Sequence, residues 1–322
     1  MKHFLTLLTA LGLLSINSNA QLLKNAIKKV VDKTGNDVVS NVLNGPQPIS
    51  TAFKDVPHYQ NIDSAAQWDG FTPREPQRSI ATLQRTPNGG FVLQPGYYSY
   101  QGQSYCLHAG THGPSSGDGY MYAPPLGTAV DEVESILRNS VNHPDINQHD
   151  IQLLLWAIVA RAKFENLDNN LKAVAARLLT PRQLAGLNRN ALDLVPGPAL
   201  EKVKEAVPEP VKMILDAEAQ LRQMLTTPGS SYEQMERVAV LTGVLPASND
   251  AVNVPSGRWS IYPDGYYIRY IPQAYYSTRV EIWVPQGSAA VGKEFDPATH
   301  IATPANTGRQ RLIQSGRFRQ EQ

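Results

Sequence analysis

The sequence predicts an α+β protein, an antiparallel and aromatic-rich sheet with a large all-helical insertion. Tyrosine separates the two parts: six of the 14 tyrosines lie between 97 and 122, six lie between 262 and 276, and none lies from 123 to 231. Tyr favours half-buried strands, whereas the Tyr-free stretch is rich in Leu, Ala, Gln and Lys, which favour helices. We expect the two tyrosine-rich regions to pair in one sheet and residues 128–243 to form the insertion.

The first 20 residues are typical of a secretory signal peptide, with cleavage predicted after Ala20. Lys2 precedes an apolar run from 4 to 14, and small residues stand at the cleavage point. The apolar run is too short to span a bilayer and is followed by polar chain. We expect a secreted or periplasmic protein without a transmembrane segment.

Four further regions follow the signal peptide. Residues 21–44 have the apolar spacing of an amphipathic helical leader, and residues 45–90, rich in Pro, Asn, Gln and Ser, predict an irregular linker. Residues 91–285 should form the α+β domain, with a hairpin at Pro263-Asp264-Gly265 and a further strand in STRVEIWVP. Residues 286–322 are polar, carry several arginines, and are expected to be a disordered tail.

Charge and motif content exclude several classes of protein. The formal charge of +1 falls to 0 once Lys2 is removed, whereas a dedicated nucleic-acid binder shows a basic excess. The chain has no nucleophile elbow, zincin motif or dinucleotide fingerprint, so we expect no cofactor. A single cysteine in an exported chain forms no intramolecular disulfide, and this thiol therefore needs an explanation.

The cysteine, Cys106, lies in the stretch YCLHAGTHG with His108 and His112 behind it. A nucleophilic cysteine needs a base, and either histidine is a candidate catalytic partner in a hydrolase or transferase. A metal site is not expected, because the stretch has no second ligand cluster to complete a tetrahedron. The alternative interpretation is that Cys106 is inert and packs in the core as a small hydrophobic residue.

Gln152 is the polar exception in the apolar helical stretch HDIQLLLWAIVARAKF, which is expected to be buried on most sides. A buried amide without partners costs about 1–3 kcal/mol. A cysteine can resolve this by displacing ammonia from the amide, which leaves an internal thioester. That electrophile can later capture an amine or hydroxyl on a target. Cys106 and Gln152 are thus a candidate reactive pair.

Two local patterns resemble the thioester domains of Gram-positive surface adhesins, which join a Cys in a Tyr-Cys-aliphatic context to the Gln of a Thr-Gln-x-Ala-Ile-Trp motif. Here Tyr105-Cys106-Leu107 matches the first pattern, and Gln152 with Trp156 matches the second, while Ile151 and Leu154 depart from it. The resemblance implies covalent attachment to a surface partner. The wider sequence is also similar to exported bacterial proteins of unassigned function.

Tyrosines in the two strand regions suggest a second kind of site. Alternation places Tyr98 and Tyr100 on one face of a strand, and Tyr267 lies in the other tyrosine-rich region. An exposed aromatic face could bind carbohydrate, whereas cross-strand core packing is the structural alternative. The sequence therefore predicts an exported binding or structural protein whose partner is a surface protein or a glycan. A cysteine-dependent enzyme and a carbohydrate-binding module remain open as alternatives.

Overall fold

The computed structural model describes residues 47–189, 191, 201, 204–205, 209–243, 245, 252–306 and 308–319. The predicted signal peptide and helical leader lie outside these residues. The six described α-helices are α1 (Val130–Ser140), α2 (Gln148–Val159), α3 (Asn169–Leu178), α4 (Pro181–Arg189), α5 (Glu209–Thr226) and α6 (Tyr232–Ala239). The described strands are β1 (Gln77–Ser79), β2 (Phe91–Val92), β3 (Gly96–Cys106), β4 (Thr111–His112), β5 (Tyr120–Ala123), β6 (Val240–Leu241), β7 (Ser260–Ile261), β8 (Tyr267–Ala274), β9 (Ser277–Val284), β10 (Glu294–Phe295), β11 (Ile301–Pro304) and β12 (Leu312–Phe318).

The main sheet has the order β5-β11-β12-β3-β9-β8-β7, and every neighbouring pair along this path is antiparallel. Strand β1 runs parallel to the first part of β3. The predicted pairing of the two tyrosine-rich regions is confirmed, because β3 pairs with β9 along eight residues from Gly96 to Gln103. With its helices, the sheet makes the chain an α+β protein.

The predicted hairpin joins β7 to β8. The Gly265 N–H donates to the Tyr262 carbonyl over 2.8 Å, and the Tyr262 N–H donates to the Tyr266 carbonyl over 2.8 Å. Gly265 has a φ of +89°, a conformation that costs glycine little. Pro263-Asp264-Gly265 thus supplies the turn chemistry that aligns two aromatic strands.

Helix α2 carries the buried apolar stretch, and all residues from Ile151 to Val159 are buried. The Asn147 side chain accepts from the Asp150 N–H over 2.8 Å and so caps the first turn. The helix ends at Val159 rather than near Phe164, because Arg161 takes the left-handed conformation with a φ of +53°. No helix in the described ranges is long and apolar enough to cross a membrane.

The segment between β5 and β7 contains all six described α-helices. Val240 and Leu241 within it form β6, which pairs in parallel with β4. Several residues between 190 and 208 lie outside the described part, so an all-helical insertion over the whole of 128–243 stays a prediction.

The expected disordered tail over 286–322 is wrong for most of its length. It contributes β11 and β12 to the interior of the main sheet, where Leu312 pairs with Cys106. The polar residues Gln314 and Ser315, whose composition suggested disorder, are 1% and 0% exposed. Gln314 pairs with Ser104 of β3, a sheet partner that composition alone does not reveal.

The predicted irregular linker contains short 3-10 helices, among them Phe53–Asp55 and Asp63–Trp68, and the strand β1. Buried Phe53, Val56 and Ile62 anchor it in a small core cluster with residues of β5. The linker is therefore packed against the sheet in its described part.

Candidate functional site

Cys106 and Gln152 lie side by side in the core, although 46 residues separate them along the chain. Cys106 is the last residue of β3, and Gln152 lies in the second turn of α2. The Cys106 N–H donates to Oε1 of Gln152 over 2.8 Å, and Nε2 of Gln152 donates to the Cys106 carbonyl over 3.0 Å. Both polar atoms of the buried amide are thus bound to one residue.

The end of β9 explains why Gln152 is needed there. Strand β9 begins at Ser277, opposite Gln103, and the last backbone bond on this side runs from the Ser104 N–H to the Tyr276 carbonyl over 3.2 Å. The N–H and carbonyl of Cys106 therefore lie beyond the end of β9 and have no backbone partner on that strand. The carboxamide of Gln152 takes the place of a strand residue and satisfies both groups.

Gln148 makes the same kind of contact one helical turn earlier. Its Nε2 donates to the Ser104 carbonyl over 3.1 Å and to the Tyr276 carbonyl over 2.7 Å. Residues four apart lie on one face of a helix, so α2 presents two glutamines to the end of the β3–β9 ladder. Gln148 is a site residue that was not predicted, although its spacing of four residues from Gln152 was a usable signal.

The Cys106 thiol is shielded from solvent, with 0% of the residue exposed. Burial raises the pKa of the thiol well above its usual value, and the negative charge of Glu236 raises this pKa further. The thiol is therefore protonated at neutral pH. This environment disfavours a free thiolate.

Aromatic rings and a carboxylate from α6 surround this part of the core. Tyr232 stacks on His149 with ring centroids 3.8 Å apart, and its hydroxyl lies 2.9 Å from that of Tyr275. The Tyr275 hydroxyl in turn donates to Glu236. No sequence pattern marks Glu236, because its partner Tyr275 comes from a distant part of the chain.

Two buried polar atoms near the pair have no hydrogen-bond partner among the described residues. They are the Tyr120 hydroxyl and the indole N–H of Trp156. Trp156 lies one turn after Gln152 on α2 and stacks on Tyr232 with centroids 5.7 Å apart. Unpaired polar atoms in a core are uncommon.

The two histidines that follow Cys106 are not its hydrogen-bond partners in the described structure. His108 lines a separate pocket with Arg311 and Glu218, and burial together with the charge of Arg311 lowers its pKa well below the usual value. His112 belongs to β4, where its N–H donates to the Gly308 carbonyl over 2.9 Å. The described residues contain no group of three or more His, Cys, Asp or Glu that could hold a metal ion.

The three tyrosines proposed as a carbohydrate platform lie in two different places. Tyr98 and Tyr100 are 0% and 6% exposed, so they pack in the core and do not form an exposed platform. Tyr267 is half-buried between Trp68 and Trp283, with ring centroids 5.1 and 4.9 Å away. Alternation correctly placed Tyr98 and Tyr100 on one face, but that face is the covered one.

No protein-family model, curated protein or solved structure matches the chain. The most informative arrangement is the contact between the Gln152 carboxamide and the backbone of Cys106, the residue that bears the thiol, inside the buried core.

Proposed function

We propose that the protein is an exported binding protein of the periplasm or cell surface, in which Cys106 and Gln152 form an internal thioester for covalent attachment to a partner. The observation that carries this proposal is the pair of hydrogen bonds between the Gln152 carboxamide and the Cys106 backbone. These bonds hold the amide carbon beside the residue that bears the sulfur. The helical insertion over 128–243 belongs to the same proposal, because it would supply the helix that carries Gln152.

The bond-forming step balances without a further reagent. The sulfur of Cys106 attacks Cδ of Gln152, the C–N bond of the amide breaks, and the thiol proton leaves with the amide nitrogen as ammonia. Negative charge develops on Oε1 during the attack, and the Cys106 N–H already donates to that oxygen. A preplaced donor of this kind stabilises an oxyanion.

Burial supports a thioester better than it supports a hydrolytic cysteine. A thioester persists only where water is excluded, and both Cys106 and Gln152 are at most 1% exposed. A cysteine hydrolase needs an accessible thiolate and a nearby base, whereas burial raises the pKa of this thiol.

Attachment would follow when an amine or hydroxyl of a partner attacks the thioester carbonyl. The C–S bond then breaks, the thiol of Cys106 is regenerated, and the partner becomes joined to the Gln152 side chain as an amide or ester. The resemblance of Tyr105-Cys106-Leu107, and of Gln152 with Trp156, to the motifs of adhesin thioester domains also supports this proposal.

Mass spectrometry of the intact mature protein tests the proposal. A thioester makes the chain lighter by one ammonia, and the deficit should disappear in both Cys106→Ala and Gln152→Ala. Methylamine treatment should add the mass of one methylamine to the parent chain, as an N-methyl amide on Gln152, and release one titratable thiol.

One artefact has to be separated from this result. The predicted mature N-terminus is Gln21, and an N-terminal glutamine can also lose ammonia by cyclising. Peptide mapping must therefore assign the deficit to a cross-linked pair of peptides containing residues 106 and 152. A full mass for the parent chain, with one thiol that titrates only after denaturation, would contradict the proposal and favour an inert cysteine. Rapid labelling of the native thiol would favour the cysteine-dependent enzyme instead.

A further inference from the structure

A groove of about 910 Å³ lies between the end of β12 and the start of α2. Its lining includes Arg85, Arg317, Arg319, Gln103, Gln148 and Tyr276. None of its lining residues is acidic. The groove is therefore positively charged in a chain whose overall charge is close to zero.

The three arginines are held in place without being neutralised. Within the described part of the chain, none of them forms an ion pair with a carboxylate. Arg317 donates to the Ile146 carbonyl over 2.8 Å and to the Pro144 carbonyl over 3.3 Å. The carboxylate of Asp145, between these two residues, binds Arg177 instead at 2.7 Å.

The other two guanidinium groups lie over aromatic rings. Arg319 is 4.6 Å from the ring centroid of Tyr276, and Arg85 is 5.2 Å from that of Phe318. Cation–π contact orients a guanidinium and leaves its charge available to an anion. These contacts prearrange positive charge along the groove.

Exposed aromatic rings accompany this charge. Tyr276 and Phe318 are each 38% exposed, and they belong to the small set of large apolar side chains that face solvent in the described structure. Rings beside arginines and carboxamides can stack on a sugar ring and bind its anionic and hydroxyl groups.

We propose that this groove binds an acidic saccharide, a sugar chain that carries carboxylate or sulfate groups. Arginine binds both groups in a bidentate manner, and the exposed rings favour a sugar over a simple anion. The near-zero net charge disfavours a nucleic acid as the natural ligand. Binding in this groove does not require the thioester. Gln148 nevertheless joins the groove to the backbone near Cys106, because it donates to the Ser104 carbonyl.

Direct binding of defined polysaccharides tests this site. The full mature chain carrying Cys106→Ala, which cannot attach covalently, is titrated with polygalacturonate, with chondroitin sulfate and with neutral dextran. We expect binding of one or both acidic polymers, weakening as salt increases, and no binding of dextran. The two acidic polymers distinguish carboxylate from sulfate as the bound group.

Two variants locate the site. Arg319→Gln and Tyr276→Ser should each weaken binding about tenfold, the loss expected when one charge-assisted hydrogen bond or one stacked ring is removed. Arg182→Gln is the matched control, because it removes the same charge from an exposed helix position outside the groove. All variants should keep the thermal unfolding midpoint of the parent.

Three results would overturn the proposal. The first is the absence of binding to either acidic polymer at low salt. The second is an equal loss in Arg182→Gln and Arg319→Gln, which would indicate a general charge effect. The third is tighter binding of single-stranded DNA or of anionic lipid vesicles, each titrated under the same conditions as the polysaccharides. The ligand would then belong to another class.

Discussion

The side chain of Gln152 serves Cys106 as a substitute for a neighbouring strand. It accepts from the N–H of Cys106 at 2.8 Å and donates to the carbonyl of the same residue at 3.0 Å. This pairing stabilises the end of β3 in the protein without a cross-link, since both polar atoms of the carboxamide are then present. The structural contribution of Gln152 can therefore be measured separately from any chemistry.

We expect Gln152→Leu, made in the Cys106→Ala background, to lower the free energy of unfolding by about 2–4 kcal/mol. The substitution leaves a buried N–H and a buried carbonyl without partners, and such groups cost about 1–3 kcal/mol each. Urea denaturation measures the change. Gln220→Leu, at an exposed position of α5, should leave the value nearly unchanged, and an equal effect of the two substitutions would refute the pairing.

We expect Asp69→Ala to destabilise the protein by about 2–4 kcal/mol, because it leaves the charge of Arg258 uncompensated. Arg258 is 4% exposed and donates to Asp69 over 2.6 Å and to the Ile62 carbonyl over 3.1 Å. These bonds fasten the segment before β1 to the sheet. Limited proteolysis should cut this segment earlier in the variant than in Asp63→Ala, which changes an exposed acid nearby. Equal cleavage of the two variants would refute this role.

Stability should fall as the pH decreases below about 6.5, because His300 is buried in its neutral form. Burial lowers the pKa of His300 to about 3, while its Nδ1 lies 2.8 Å from the Asp296 carbonyl and its Nε2 contacts the Tyr266 hydroxyl. The unfolded chain then binds a proton that the folded chain does not, which costs about 1.4 kcal/mol for each pH unit between these two pKa values.

Urea titrations at about pH 7 and about pH 5 measure this dependence. His300→Gln should be less stable at the higher pH but show a weaker dependence. His58→Asn, at an exposed position, should keep the slope of the parent. An unchanged slope in His300→Gln would show that another group is responsible.

Deleting residues 300–322 should abolish cooperative unfolding, because it removes β11 and β12 from the interior of the sheet. Strand β5 would then lose its hydrogen-bonded neighbour, and one side of β3 would be open. Circular dichroism during heating measures the loss. Deleting 320–322, which follow the last described strand, should leave a cooperative transition. A folded, cooperative product of the longer deletion would contradict this account.

Local signals predicted the elements with regular patterns. The tyrosine-rich strands, the turn at Gly265 and the buried helix around Gln152 each carry their own periodicity or turn chemistry. The helix end was less well predicted, since the left-handed conformation of Arg161 has no marker in the sequence. The tail was predicted wrongly because buried Gln314 and Ser315 are polar residues, and only their neighbours in the sheet allow them inside.

The candidate site could be predicted only as far as its two central residues. The apolar surroundings of Gln152 marked its amide as unusual, and the single cysteine was evident. The hydrogen-bonded group of Tyr232, Tyr275 and Glu236 is assembled by tertiary packing alone, so no spacing identifies it. Tyr98 and Tyr100 show the converse case, in which alternation gives the shared face but does not say which face is covered.

The position of β12 also determines the order in which the fold can be completed. Leu312 pairs with Cys106 across 206 residues of sequence, and the strand that contains it lies in the middle of the sheet. Ribosomes make a chain from its N-terminus, so the sheet cannot close until the final strand has emerged. Such long-range pairing slows folding. Until β12 pairs, the edge of β3 that ends at Cys106 stays open, so the core around Cys106 and Gln152 is completed late.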